Sequence, residues 1–159
     1  MTIKVGDKVP NTKIFIMKEG RPTPTNTDDL FKGKKVVLFS VPGAFTPTCS
    51  QAHLPGFVVN ADKIKAKGVD SIVCISVNDA FVMDAWGKGA NASELIMAGD
   101  GNGDFAKAVG LEMDGSGFGL GKRSQRFAMI VQDGVVKTLN VEAPGKFEVS
   151  SAEAILKAL

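Results

Sequence analysis

Apolar residues fall along the chain in short runs separated by glycine, proline and charged clusters, and the period within each run predicts an alternation of strands and helices. Residues 35–42 (KVVLFSVP) are apolar and valine-rich, flanked by the basic, glycine-containing stretch 31–34, and read as a buried strand. A helix is predicted to follow. Thr46 is a good N-cap residue, and Pro47 sits at the first helical position, where a missing N–H is harmless. The helical pattern runs to about Lys67 and stops at Gly68, a residue suited to a left-handed C-cap, while Pro55-Gly56 interrupts it, and on pattern alone the helix breaks there. Residues 71–77 (SIVCISV) predict a second buried strand, and Asp79 caps a helix through about Trp86. Further on, residues 94–98 predict a strand, 104–109 a short helix, and the glycine-rich stretch to Gly121 a long surface loop. Residues 126–131, the turn Asp133-Gly134 and residues 135–141 carry a hairpin signal, and Ser150 with Glu153 reads as a capping box opening a C-terminal helix. The order predicts an α/β fold: a central mixed sheet with parallel βαβ units, a closing antiparallel hairpin and a C-terminal helix.

Length and charge narrow the function classes. At 159 residues the chain has the size of one domain, 1–159, able to bury about two-thirds of its unfolded surface. No apolar run approaches the roughly 18 residues of a membrane helix, so a membrane protein is not expected. The net charge of +2, with Lys and Arg interspersed among Asp and Glu, makes no basic stripe, and nucleic acid is not an expected partner. The N-terminal residues MTIKVGDKVPNTKIF lack the apolar core of a secretory signal and the Arg-rich, Ser-rich character of a transit peptide. A cytoplasmic location is therefore expected, although a mature organellar form would look the same. Two cysteines make no disulfide framework, and with a single His they supply no zinc-type cluster, so no metal is expected. Asp100-Gly101-Asn102-Gly103-Asp104 opens like a calcium loop, but Phe105 and Leu111 stand where Gly and Glu belong, and it reads as a turn. The glycines at 115, 117, 119 and 121 do not follow a strand as GxGxxG, which removes the signal for a dinucleotide.

The candidate chemistry lies at Cys49, in the first turn of the helix predicted after residues 35–42. Free backbone N–H groups and the positive end of the helix dipole converge there and favour a thiolate, the nucleophilic form, over a thiol. A lone Cys near a helix start is more often an inert small hydrophobe. Two prolines, a glycine and two threonines within residues 42–49 describe a rigid polar pocket instead. Thr46 is close enough to reach the sulfur, or serves as a plain cap. Lys122, Arg123 and Arg126 cluster as candidate cations, and composition does not choose among them. His53 falls four residues after Cys49, on the same face of a regular helix; with no partner for a triad it reads as a supporting or packing residue rather than a base. Cys74 lies mid-strand among Ile72, Val73 and Ile75 and reads as buried and inert. At ~3.3 Å per residue it sits roughly 10 Å deeper than Cys49, beyond the Cα separation of about 7 Å that a disulfide tolerates.

The order Pro-x-x-x-Thr-x-x-Cys at Pro42, Thr46 and Cys49 resembles the active-site signature of the peroxiredoxins. Three longer blocks, PGAFTPTCSQAHLPGF, GVDSIVCISVNDAFVMDAWGK and KRSQRFAMIVQDGVV, are similar to the peroxiredoxin 5 group, which includes the plant type II enzymes. The similarity runs from about Val5 to the C-terminus. It implies a thioredoxin-like fold, one kinked helix across Pro55-Gly56, and no metal or organic cofactor. It also implies a thiol peroxidase, in which the Cys49 thiolate attacks hydrogen peroxide or an alkyl hydroperoxide and is left as a sulfenic acid. By the same resemblance, Thr46, Arg126 and the Cys49 amide hold the peroxide oxygens and Pro42 shields the sulfur. Arg126 is favoured because it immediately precedes Phe127, the aromatic residue that begins a strand. Animal members carry a resolving Cys near the C-terminus, whereas residues 146–150 here contain none, so an external thiol is the expected reductant: glutathione with glutaredoxin, or thioredoxin. A homodimer formed through the loops around the active site is implied as well. The alternative is a redox-responsive binding protein that uses Cys49 oxidation as a signal.

Overall fold

Seven strands build one mixed sheet in the computed structural model, which describes residues 2–159. In chain order the elements are β1 (Lys13–Lys18), β2 (Arg21–Asn26), α1 (Thr27–Phe31), β3 (Lys35–Ser40), a wide helical turn (Cys49–His53) leading into α2 (Leu54–Lys65), β4 (Ser71–Ser76) and α3 (Ala80–Gly89). There follow β5 (Ile96–Gly99), α4 (Asp104–Val109), β6 (Glu112–Asp114), β7 (Lys122–Ser124), β8 (Phe127–Gln132), β9 (Val135–Val141) and α5 (Ala152–Ala158). The strand order is β2-β1-β5-β4-β3-β8-β9, with β3, β4 and β5 parallel and the remaining pairs antiparallel. This is the expected thioredoxin-like plan. Among the described residues no helix is long and apolar enough to cross a membrane.

The central strands read as continuous apolar runs because both of their faces are buried. Val37 and Phe39 of β3, with Ile72 and Cys74 of β4, pack toward α2, α3 and α5, whereas Val36, Leu38, Val73 and Ile75 pack with Phe31, Phe105 and Val109 on the opposite face. Each fully buried Phe, Leu or Ile stabilises the fold by about 1.5–3 kcal/mol. The sheet is therefore a stiff platform, and the C-terminal ends of β3 and β4 present whatever follows them in a fixed place.

The helix after β3 runs on through Pro55-Gly56 as one helix, as the resemblance implies, rather than breaking there as pattern alone predicts. It begins at Pro47 and continues through residue 65, but Cys49–His53 is a π-turn, in which the Leu54 N–H bonds back to the Cys49 carbonyl. Proline has no N–H to give, and in α register its ring would meet the carbonyl four residues earlier; one wider turn removes that conflict.

One element was not expected, and two expectations are corrected. The β1–β2 hairpin was not legible, because β2 (RPTPTN) has no apolar period; its two prolines are tolerated on a sheet edge, where a row of N–H groups needs no ladder partner. The supposed surface loop to Gly121 begins with β6, which pairs with β7 just beyond Gly121 as a small two-stranded sheet, and the loop is closed by Gly115 N–H bonded to the Gly121 carbonyl at 2.7 Å. The last helix is capped by Ser151, whose Oγ accepts from the Ala154 N–H at 3.1 Å, and not by Ser150. The Asp133-Gly134 hairpin is as expected: φ values of 48° and 81° give the left-handed pair that a two-residue turn requires.

Close backbone approach makes one glycine critical. A Cβ at Gly99 would lie 2.8 Å from the Ala80 nitrogen and 2.9 Å from the Asn78 oxygen, whereas one at Gly89 meets nothing within 4 Å. Gly99→Ala is expected to destabilise the protein by roughly 1–3 kcal/mol and Gly89→Ala to be neutral or stabilising by up to about 1 kcal/mol. Urea unfolding of the two variants checks this; equal midpoints would show that β5 does not seat against the start of α3 as described.

Candidate active site

The end of β3 delivers Val41 and Pro42 to a tight loop that is tied down from both sides. The Ala44 N–H donates to Asn78 Oδ1 at 2.9 Å, and that oxygen also accepts from Ser76 Oγ, so the loop is fastened to the end of β4. On the other side Arg123 donates through Nη1 to the Pro42 carbonyl at 3.1 Å and through Nε to the Leu120 carbonyl at 3.0 Å. Gly43 lies beneath that guanidinium, where a Cβ would come within 2.7 Å of Nη1. Thr46 occupies the N-cap position, but its hydroxyl turns back to donate to the Gly43 carbonyl at 2.6 Å, leaving only its oxygen lone pairs facing outward.

Cys49 follows in the first turn and is fully buried. Arg126, half-buried one residue before β8, donates through Nη2 to Cys49 Sγ at 3.1 Å and meets His53 Nδ1 through Nη1 at 2.8 Å. The other ring nitrogen of His53, Nε2, lies 2.8 Å from the Ser150 carbonyl. A carbonyl only accepts, so Nε2 carries the hydrogen and Nδ1 is the acceptor for Arg126. The imidazole lies among Phe39, Phe57 and Phe147, with ring centroids 4.9, 5.6 and 4.9 Å away. Burial, reinforced by the Arg126 charge, lowers its pKa from 6.5 to about 3 against the opposing Ser150 hydrogen bond and Glu142 charge. His53 is thus neutral and engaged on both nitrogens, which fits the expected supporting role and leaves it unable to act as a base.

Behind Ser150 stands Glu142, a buried carboxylate at the end of β9. It accepts from the backbone N–H groups of Glu148, Val149 and Ser150 at 2.8–2.9 Å and from Ser150 Oγ at 2.7 Å. Burial alone would raise its pKa, yet these hydrogen bonds outweigh it and hold the carboxyl below the usual range. Phe147, in the segment so anchored, places its ring 5.8 Å from the Arg126 guanidinium carbon, a cation–π distance.

A cleft of about 500 Å³ opens over Pro42, Thr46 and Arg126, lined also by Met113, Phe118, Leu120, Pro144, Lys146 and Glu112. The structure therefore brings Pro42, Thr46, Cys49 and Arg126 to one place. Of the three candidate cations, Arg126 meets the sulfur, Arg123 clamps the loop and Lys122 is exposed. Cys74 is buried on the α2 side of β4; burial, then the charge of Cys49, raises its pKa well above the ordinary thiol value, and both cysteines are free. The parts not foreseen are the Arg123 clamp and the Glu142–Ser150 anchor. Their only trace in the sequence is a lone Glu closing a strand and an Arg three residues before another.

The sequence model of the Redoxin family matches residues 4–156. The chain is 50% identical over 159 residues to peroxiredoxin-2B of Arabidopsis thaliana, covering 99% of this chain and 98% of that protein. It is 51% identical over 164 residues to the chloroplastic peroxiredoxin-2E-2 of Oryza sativa subsp. japonica, covering 99% and 73%. The crystal structure of reduced Prx3 in complex with hydrogen peroxide from Vibrio vulnificus matches with a TM-score of 0.96 and 58% identity over 99% of each chain.

The buried imidazole makes stability depend on pH. His53 titrates near 3 when folded and near 6.5 when unfolded, so between those values the unfolded chain binds one more proton and stability falls as the pH drops. From pH 7.5 to 5.5, above the carboxylate range, the loss is expected to be about 1.4 kcal/mol. Urea melts in a Cys49→Ser background, with and without His53→Gln, check this: the variant should lose the slope. His53 is the only histidine, so an unchanged slope would mean that the ring is not buried neutral.

Proposed function

The chain belongs to the peroxiredoxins, in the peroxiredoxin 5 (type II) group of the redoxin family, and is a thiol-dependent peroxidase; on that premise we propose that Cys49 attacks the peroxide, with Arg126, Thr46 and Pro42 completing the site. The observation that carries this reading is the 3.1 Å contact between Arg126 Nη2 and Cys49 Sγ, made beneath a cleft that Arg126, Thr46 and Pro42 line. A guanidinium so placed stabilises an anionic sulfur and can share its donors with a peroxide oxygen.

A sulfur lone pair of the thiolate attacks the nearer peroxide oxygen, the O–O bond breaks, and the far oxygen leaves with the bonding pair and takes a proton to become water or alcohol. Cys49 is left as a sulfenic acid. Negative charge migrates from sulfur to the leaving oxygen, so a fixed cation beside both is worth more than a base. The Thr46 hydrogen is committed to the Gly43 carbonyl; its oxygen accepts from the peroxide O–H, so it orients the substrate as an acceptor. The Cys49 amide, in a first turn where N–H groups lack intrahelical partners, supplies a donor. Pro42 closes the site to water.

The substrates of the proposal are hydrogen peroxide and alkyl hydroperoxides. An external thiol, glutathione with glutaredoxin or thioredoxin, condenses with the sulfenic acid to release water, and a second thiol frees Cys49 as a disulfide forms between the two. Burial of Cys74 in the central strand β4 supports the external route. A homodimer through the active-site face is supported by exposed Phe45 and Phe81, with Phe118 beside the cleft. Nothing in the site or the relatives favours the signalling alternative.

Steady-state assay with a thiol donor tests the assignment. Wild type and Cys74→Ser should consume many equivalents of peroxide per protein, Cys49→Ser none, and Arg126→Gln should oxidise roughly a hundredfold more slowly, the scale of losing one oriented donor. Peroxide consumption that stops at one equivalent, or an Arg126→Gln protein as fast as wild type, would sink the reading. Loss of recycling in Cys74→Ser would show instead that the second thiol resolves the first.

A further inference from the structure

A continuous line of hydrogen bonds runs from the Glu142 carboxylate to the reactive sulfur. Glu142 holds the amide and hydroxyl of Ser150, the Ser150 carbonyl holds His53 Nε2–H, His53 Nδ1 holds Arg126 Nη1, and Arg126 Nη2 reaches Cys49 Sγ. Glu142 also grips Arg126 from behind, its own N–H donating to the Arg126 carbonyl at 3.0 Å. We propose that Glu142 is a positioning residue for the peroxidase reaction, acting through Ser150 and His53 to hold the Arg126 guanidinium against the sulfur. This rests on the role of Arg126 proposed above.

Two features carry the inference beyond a loop staple. First, nothing polar other than Ser150 and Arg126 contacts the His53 ring among the described residues, since aromatic rings surround it. The place of the Ser150 carbonyl therefore decides which nitrogen bears the hydrogen and which one faces Arg126. That carbonyl is placed by the carboxylate, which satisfies three consecutive amides at once. Second, Arg126 has no carboxylate partner among the described residues. Its charge is oriented through a neutral ring rather than paired, so the guanidinium is held in place while its field remains directed at the sulfur. An acidic group in direct contact would orient the same cation and cancel much of its effect.

Glu142→Gln tests this, because the amide removes the negative charge, keeps a single acceptor oxygen and turns an N–H₂ toward the Glu148 N–H that meets both carboxylate oxygens. Stopped-flow oxidation of reduced Cys49 by hydrogen peroxide should slow by at least about tenfold, and in an Arg126→Gln background the same change should cost nothing further, the signature of two residues acting as one unit. Alkylation by iodoacetamide, which needs the thiolate but no oriented peroxide, should fall less than peroxide oxidation. A wild-type oxidation rate, equal losses with both reagents, or the same factor lost in both backgrounds would overturn the proposal. If Glu142→Gln does not fold, Ser150→Ala, which removes one of the bonds to the carboxylate, is read by the same three criteria, with an expected loss of a few-fold. Should Arg126→Gln itself oxidise like wild type, the proposed function fails; a slow Arg126→Gln with an indifferent Glu142→Gln removes this inference alone.

Discussion

A guanidinium held 3.1 Å from a fully buried sulfur is the contact around which the rest of the structure is arranged. Neither partner is secured locally. Cys49 lies in a helical turn and Arg126 at the start of a strand on the far side of β3, 77 residues later. They meet because β3 pairs with β4 on one side and with β8 on the other, so that the helix start and the entry to β8 share one end of the sheet. A sheet buried on both faces is stiff, and that stiffness is what turns a flexible arginine into a fixed donor. The Arg123 clamp on the Pro42 carbonyl and the Asn78 tie on Ala44 do the same for the loop that covers the sulfur.

How much of this was legible in the sequence depended on how far apart in the chain the cooperating residues lie. The strand, the helix start at Pro47 and the position of Cys49 in its first turn are local facts, readable from valine content, a capping threonine and a proline. Choosing Arg126 over Lys122 and Arg123 was not local, and only resemblance to a known family decided it. The structure supplies the physical reason: Arg126 enters a central strand facing the helix, whereas Arg123 leaves the edge-like β7 and folds over Gly43. The supporting place of His53 was legible from its spacing to Cys49, but its partners and the Glu142–Ser150 anchor were beyond reach, because those bonds span 8 and 97 residues and depend on where a loop closes. The one-residue error at the last cap has the same origin: Ser150 is a sound N-cap candidate by type, but Glu142 claims its hydroxyl and Ser151 takes the cap. The N-terminal hairpin failed differently, since an edge strand made of proline, threonine and asparagine carries no apolar period at all.

The π-turn links helix geometry to the site. In an unbroken α-helix His53 would follow Cys49 on the same face; the wider turn at Cys49–His53 changes their angular relation, and His53 points to Arg126 and Ser150. Pro55, which forces the extra width, thereby influences a histidine two residues earlier and an arginine 71 residues away. A proline that looks like a helix breaker in the sequence acts in the fold as a device for aiming a ring.

That ring does its work by being uncharged. Phe39, Phe57 and Phe147 exclude water from His53, and the adjacent guanidinium repels a second positive charge, so the imidazole stays neutral down to about pH 3. An imidazolium at that position would have no lone pair to receive Arg126 Nη1, and Arg126 would lose the contact that orients it. A carboxylate there would hold the arginine more strongly but would pair its charge, leaving less of it for the sulfur. Neutral histidine satisfies both demands, supplying an acceptor on one side and a donor on the other with no charge of its own. The aromatic box, which looks like ordinary core packing, is therefore part of the electrostatics of the site, because it fixes the protonation state on which the orientation of Arg126 depends.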